Sequence, residues 1–136
     1  MNIWKTLLIG VIATVLMACQ SVPLVKSISD PIPYTLEQKQ AERCIIEAGS
    51  TRGWMMTPTK LGEIQAELNI RQHQVVIRIV YDEKNITFNY VSSQQLNDKN
   101  GRIHRQYNNW LNNLRGDIKV KMNEVYTKQL LDKNPN

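Results

Sequence analysis

Three spacings of apolar residues follow one another along the chain, and each predicts a different element. An apolar run fills residues 7–17. After a polar, proline-bearing stretch at 20–34, Leu36, Ala41, Cys44, Ile45 and Ala48 recur at helical spacing, opposite Glu37, Lys39, Glu42, Arg43 and Glu47. Thr35 and Gln38 stand three apart as a capping box, so a one-faced helix is expected to start at Thr35 and to end near Gly49. From Gly53 the period falls to two. Trp54 and Met56 alternate with other positions, as do Ile64, Ala66, Leu68 and Ile70. Val75, Ile77, Ile79 and Tyr81 follow, and then Ile86, Phe88 and Tyr90.

Loop lengths turn these segments into a register. A two-residue loop at Arg71-Gln72 sets Ile70 against His73, Leu68 against Val75, Ala66 against Ile77 and Ile64 against Ile79. A four-residue loop at 82–85 sets Tyr81 against Ile86, Ile79 against Phe88 and Ile77 against Tyr90. Placing the first turn at 59–61 sets Met56 against Ile64 and Trp54 against Ala66. All these pairs fall on one face, and a slip of one residue would destroy the match. The other face, with Gln65, Glu67, Asn69, Arg78, Thr87 and Asn89, is expected to be wet. Val76, Val80 and Val91 on it read either as strand propensity or as a weak docking patch.

A polar, turn-rich stretch at 94–101 leads into a second helical pattern. Ile103, Tyr107, Trp110, Leu111, Leu114 and Ile118 form one stripe, with Val125 as its extension and a frayed tail at 132–136. The fold class that follows is α+β: a two-layer sandwich over residues 35–131, with a four-stranded antiparallel meander and two helices on one face, in the order α-β-β-β-β-α.

The first apolar run has a different meaning. Lys5 precedes it and Ala18 and Cys19 follow it. The run has about the length of a secretory signal core and is well short of the roughly 20 residues of a spanning helix. Leu16-Met17-Ala18-Cys19 resembles the processing site of bacterial lipoproteins, with Met17 the less usual occupant. That resemblance implies removal of residues 1–18, a diacylglycerol on the Cys19 sulfur and acylation of its new amino group. Three acyl chains, at about 0.8 kcal/mol per buried CH₂, anchor a protein effectively permanently. Gln20 stands where an aspartate would favour retention in the inner membrane, so the periplasmic face of the bacterial outer membrane is the expected address. The inner membrane is the alternative address, and an ordinary signal peptide or uncleaved anchor is the alternative reading of the segment.

Removing 18 of the 136 residues leaves enough chain for one domain and a flexible tether at 19–34, which spans on the order of 50 Å when extended. Charge is uneven: residues 99–136 carry 8 basic and 3 acidic side chains, against 8 and 9 in residues 19–98. The basic third suits anionic lipid or an acidic envelope surface, or is simply a solvated helix face. For a secreted chain, nucleic acid is not an expected partner. With Cys19 acylated, Cys44 lacks a disulfide partner and is expected to be buried as a small hydrophobe.

Little in the sequence points to catalysis. His73 falls in a hairpin turn, and His104 beside the apolar stripe with Asp98 and Asn108 as possible neighbours. No serine sits in a nucleophile motif, no histidine or cysteine cluster suits a metal, and no glycine-rich phosphate loop occurs. The expectation is a non-enzyme with no metal and no cofactor beyond lipid on Cys19. Asn108, Asn109, Asn112 and Asn113 are the oddest feature, because asparagine disfavours helix interiors. They read either as an exposed hydrogen-bonding ladder for glycan or peptide, with His104 beside it, or as side chains that bond neighbouring backbone.

The stretch from Gly53-Trp54 through Gly62-Glu63-Ile64, Leu68, Arg71, His73, Tyr81 and Asp82 to Ile103-His104, Tyr107-Asn108 and Trp110 resembles a group of small bacterial envelope lipoproteins with no assigned activity. The resemblance supports the membrane address and carries over no catalytic residue. The expected function is a lipid-anchored, non-catalytic binding or structural module that meets an envelope protein, glycan or lipid. A small envelope hydrolase or transferase using His104 is one alternative. A homo-oligomer joined through an edge strand or the valines is another.

Overall fold

The computed structural model describes residues 20–134, so Cys19 and the segment before it lie outside the described residues. In chain order the elements are β1 (Ser21–Pro23), β2 (Ser27–Pro31), α1 (Gln38–Thr51), β3 (Met55–Lys60), β4 (Glu63–Ile70), β5 (His73–Tyr81), β6 (Asn85–Gln94), β7 (Arg102–His104) and α2 (Gln106–Lys133). The α+β class and the meander are as expected. Ile64 faces Ile79, Ala66 faces Ile77, Leu68 faces Val75 and Ile70 faces His73. Across the next hairpin Tyr81 faces Ile86, Ile79 faces Phe88 and Ile77 faces Tyr90.

The first hairpin departs from its expected register by two residues. Met56 faces Ala66 and Pro58 faces Ile64, with an irregularity between Pro58 and Lys60. Gly62 makes the difference. Its φ of +81° suits a tight turn, and a Cβ there would lie 3.0 Å from the Tyr81 carbonyl oxygen. The turn therefore closes at Leu61-Gly62, and Thr59 is absorbed as a bulge.

A larger correction concerns residues 20–34, expected as a tether. Ser27–Pro31 is a fifth strand on the outer side of β6, giving the sheet order β2-β6-β5-β4-β3. Ser21–Pro23 pairs with Arg102–His104 in a separate two-stranded ribbon. The prolines lie where strands tolerate them: Pro23 and Pro31 end their strands, and β2 is a sheet edge.

Both helices cover one face of the sheet. Leu36, Ala41, Cys44, Ile45 and Ala48 are buried with Ile64, Ala66, Ile77, Ile79 and Phe88, while Tyr107, Leu111, Leu114, Ile118 and Met122 join the same core. The helices run antiparallel, with Arg52 paired to Asp117 and Lys121 to Glu47. Tyr81 donates a hydrogen bond to Glu42 Oε2 at 2.8 Å, tying β5 to α1.

Helix boundaries moved where capping differs from expectation. α1 starts after Glu37, whose N–H donates to Gln40 Oε1 at 3.0 Å, so Thr35-Gln38 is not the box. Gly49 is buried inside the helix against Met56, and Gly53, at φ +85°, follows the helix end. Ile103 and His104 belong to β7, and α2 begins only at Gln106. Asp132 and Lys133 are helical, not frayed. Among the described residues no helix is long and apolar enough to cross a membrane.

Candidate contact surface

The expected contact residues fall on two adjoining elements. His104 ends β7 opposite Ser21, and Asn108, Asn109, Asn112 and Asn113 lie on the first three turns of α2. Asn109, Asn112 and Asn113 are exposed, and Asn108 is half-buried. Two of the amides have internal work. Asn109 Nδ2 donates to Gln106 Oε1 at 3.4 Å, and Asn112 Oδ1 accepts from Arg115 Nη1 at 3.1 Å. The bonds run to side chains, not to loop or sheet backbone as one expectation had it. Exposed Asn113 belongs to the same helix surface as half-buried Trp110, three residues before it.

Trp110 meets the His73 ring, with centroids 5.9 Å apart and planes tilted by 50°. His73 Nδ1 lies 2.7 Å from the Gln95 carbonyl oxygen, which only accepts, so Nδ1 carries the proton and donates. Behind them the Tyr90 ring stands edge-on to Tyr107 at 5.6 Å. Tyr90 Oη donates to Asp98 Oδ2 at 2.9 Å and, with its proton so committed, accepts from Ser93 Oγ at 2.7 Å. Burial pushes the Tyr107 hydroxyl up to about 12. These contacts pin the loop between β6 and β7, where Gln95, Asn97 and Asn100 take positive φ.

His104 does not stand as a base with an acid behind it. Its Nδ1 accepts the Gln106 N–H at 3.2 Å. The hollow beside it is about 170 Å³ and is lined by Gln20, Ser21, Asn97 and His104. That is below the roughly 300–1,000 Å³ of ordinary ligand pockets. Asp98, once its possible neighbour, is held by Tyr90 instead. A depression of about 650 Å³ is lined, among the described residues, by Lys39, Gln40, Glu42, Arg43, Ile46 and Glu47, all from α1. Among the described residues no group of three or more His, Cys, Asp or Glu is placed to hold a metal. Cys44 is buried, and burial raises its thiol pKa, as a small core residue requires.

The open sheet face has mostly paired its polar groups. Ser27 Oγ donates to Asn89 Oδ1 at 2.9 Å, Ser29 and Thr87 share a hydrogen bond of 3.1 Å, and Arg78 pairs with Glu63 at 3.2 Å. The valines do not form one patch. Val91 lies at the β6 bulge beside half-buried Val76, whereas Val80 is four residues further along β5, beyond Arg78.

Two features escaped the sequence reading. The first is a clamp: Arg115 Nε and Nη2 reach Asp30 Oδ2 and Oδ1 at 2.8 and 2.6 Å, with Lys119 Nζ at 3.7 Å. Asp30 is 6% exposed, and the Arg115 hydrogen bonds hold its carboxyl below the usual carboxylate range against the opposing effect of burial. A faint signal existed, since Asp30 alternates with Ile28 on one side of β2 and Arg115 borders the Leu111, Leu114, Ile118 stripe. The second is the seat of Gln20, whose carbonyl accepts the Arg105 N–H at 2.8 Å.

The chain matches no family model and no curated protein. Its function therefore has to be argued from its own residues.

Proposed function

We propose that this chain is a bacterial envelope lipoprotein, anchored through lipid on Cys19 to the periplasmic face of the outer membrane, and that its domain is a non-catalytic binding or structural module. The observation that carries the reading is the order Lys5, apolar run 7–17, Ala18, Cys19, with the next residue, Gln20, already held by the domain at Arg105. The surface offered to an envelope protein, glycan or lipid is Trp110 with Asn109 and Asn113 on α2. An aromatic face flanked by amides suits partners with both apolar and hydrogen-bonding surface.

The test begins with Cys19→Ala in a bacterial host. Wild-type protein is expected to carry the mass of a lipidated, processed chain and to fractionate with membranes. The variant is expected to remain a full-length precursor without that mass, and identical processing of the two proteins would sink the proposal. Photo-crosslinkers at Asn113 and, on the open sheet face, at Gln65 then address the module in intact cells. A discrete envelope neighbour captured at Asn113 supports the contact surface, and the absence of any specific neighbour at both positions counts against it.

A further inference from the structure

The folding of residues 20–34 into strands changes what an anchor on Cys19 would do. A flexible tether would hold the domain away from the bilayer at no set orientation. Here Gln20 is bonded to Arg105, and Ser21 accepts from Arg102 through both Oγ, at 3.0 Å, and its carbonyl, at 2.8 Å. One residue reaches at most about 3.6 Å, so lipid on Cys19 would bring the β1–β7 ribbon down to the membrane surface with it. That end of the molecule is basic. Lys99, Arg102 and Arg105 are exposed there against one carboxylate between Gln95 and Gln106, Asp98, which accepts from the Tyr90 hydroxyl and keeps its charge. Asp82 and Glu83 lie with Lys84 in the β5–β6 turn, at the opposite end of the sheet, so that turn is acidic by one net charge.

Resting on the lipidation proposed above, we infer that the domain docks on anionic phospholipid, with Lys99, Arg102 and Arg105 facing the headgroups and the Asp82-Glu83 turn pointing away. Arg105 and Arg102 stand beside Gln20 and Pro23 of the ribbon, and attraction to an anionic surface acts over about one Debye length, 8–10 Å. Each Lys or Arg near such a surface favours the bound orientation about fivefold. Docking would leave the α2 surface around Asn113 to the side, available for a partner.

The experiment uses the full chain extracted from membranes and reconstituted in two kinds of vesicle. One contains phosphatidylethanolamine with roughly one quarter phosphatidylglycerol, and the other is phosphatidylcholine alone. Amine labelling read at each lysine by mass spectrometry reports which end is covered. Lys99 is expected to label about fivefold more slowly on the anionic vesicles, with Lys60 and Lys84 unchanged as internal controls at the far end. High salt, or Arg105→Glu, whose side chain is exposed, should erase most of the difference. Equal labelling of Lys99 on the two vesicles, with lipid present on Cys19, overturns the docking and leaves the lipoprotein reading standing. Absence of lipid from Cys19 in the same mass spectra overturns both.

Discussion

Asp30→Ala is expected to destabilise the domain by about 3 kcal/mol, because it removes one partner of a nearly buried ion pair and leaves the Arg115 guanidinium without its carboxylate. Chemical denaturation checks the magnitude. A double-mutant cycle with Arg115→Ala should give a coupling above about 1 kcal/mol, and additive effects would mean the two side chains act independently. The damage should also be local. Asp30 holds β2 against α2, and β2 is an edge strand with one neighbour, so Ile28 and Asp30 should lose hydrogen-exchange protection before β4 or β5. In an anchored molecule, releasing β2 would lengthen the connection between lipid and core.

The same carboxylate sets an acid limit. Its native pKa lies below the unfolded value, so the contribution is fully present above the unfolded value, about 3.9, and is lost as pH falls through the lowered native value. Asp117, lowered by its hydrogen bond to Arg52, works in the same direction. Wild type and Asp30→Asn should therefore differ most near neutral pH and converge in strong acid. A gap that persists unchanged at low pH would show that the clamp acts through packing and not charge. At the alkaline end, Tyr81 and Tyr107 are both raised to about 12 by burial, so their contribution is present below the unfolded value near 10 and disappears as pH rises towards 12.

Phe88→Ala should be the most damaging core substitution, at about 3–5 kcal/mol, lowering Tm by roughly 10–20 °C. Phe88 is the chain's single phenylalanine and is 1% exposed. It sits on β6 between Ile79 of β5 and Ile28 of β2, so its removal opens a cavity where the meander meets the added edge strand. Phe88→Leu should recover more than half of the loss, because leucine refills most of the void. A loss under about 1.5 kcal/mol for the alanine variant would mean the site collapses around the gap, and that β2 packs more loosely than the register indicates.

Part of the candidate surface was legible in advance and part was not. Asn109, Asn112 and Asn113 are exposed on α2 as the stripe of Tyr107, Leu111, Leu114 and Ile118 required, because the buried side of a helix determines its outer side. The pairing of Asn112 with Arg115, and the capture of Asp98 by Tyr90, were invisible. Those contacts join residues whose proximity depends on how loops close, and a polar residue carries no period that names its partner.

Strand registers show the same division. The β4–β5 and β5–β6 pairings follow from alternation and loop length, since a one-residue slip would turn every apolar side chain to water. A two-residue slip keeps each side chain on its face, so pattern could not separate Met56–Ile64 from Met56–Ala66, and the positive φ of Gly62 decided it. By itself, the chain's pattern of apolar and polar residues determined the α+β class, the meander and the faces the helices bury, because these depend on burial summed over many positions. Only the tertiary structure decided that residues 20–34 hold two strands, Ser21–Pro23 and Ser27–Pro31, and are not a tether. Their stability comes from partners far away in the chain: Phe88 for Ile28, Arg115 for Asp30, Arg105 for Gln20. Three prolines and scattered serines carry no local sign of such partners, and the strands form because β7 presents backbone for β1 to join and β6 for β2.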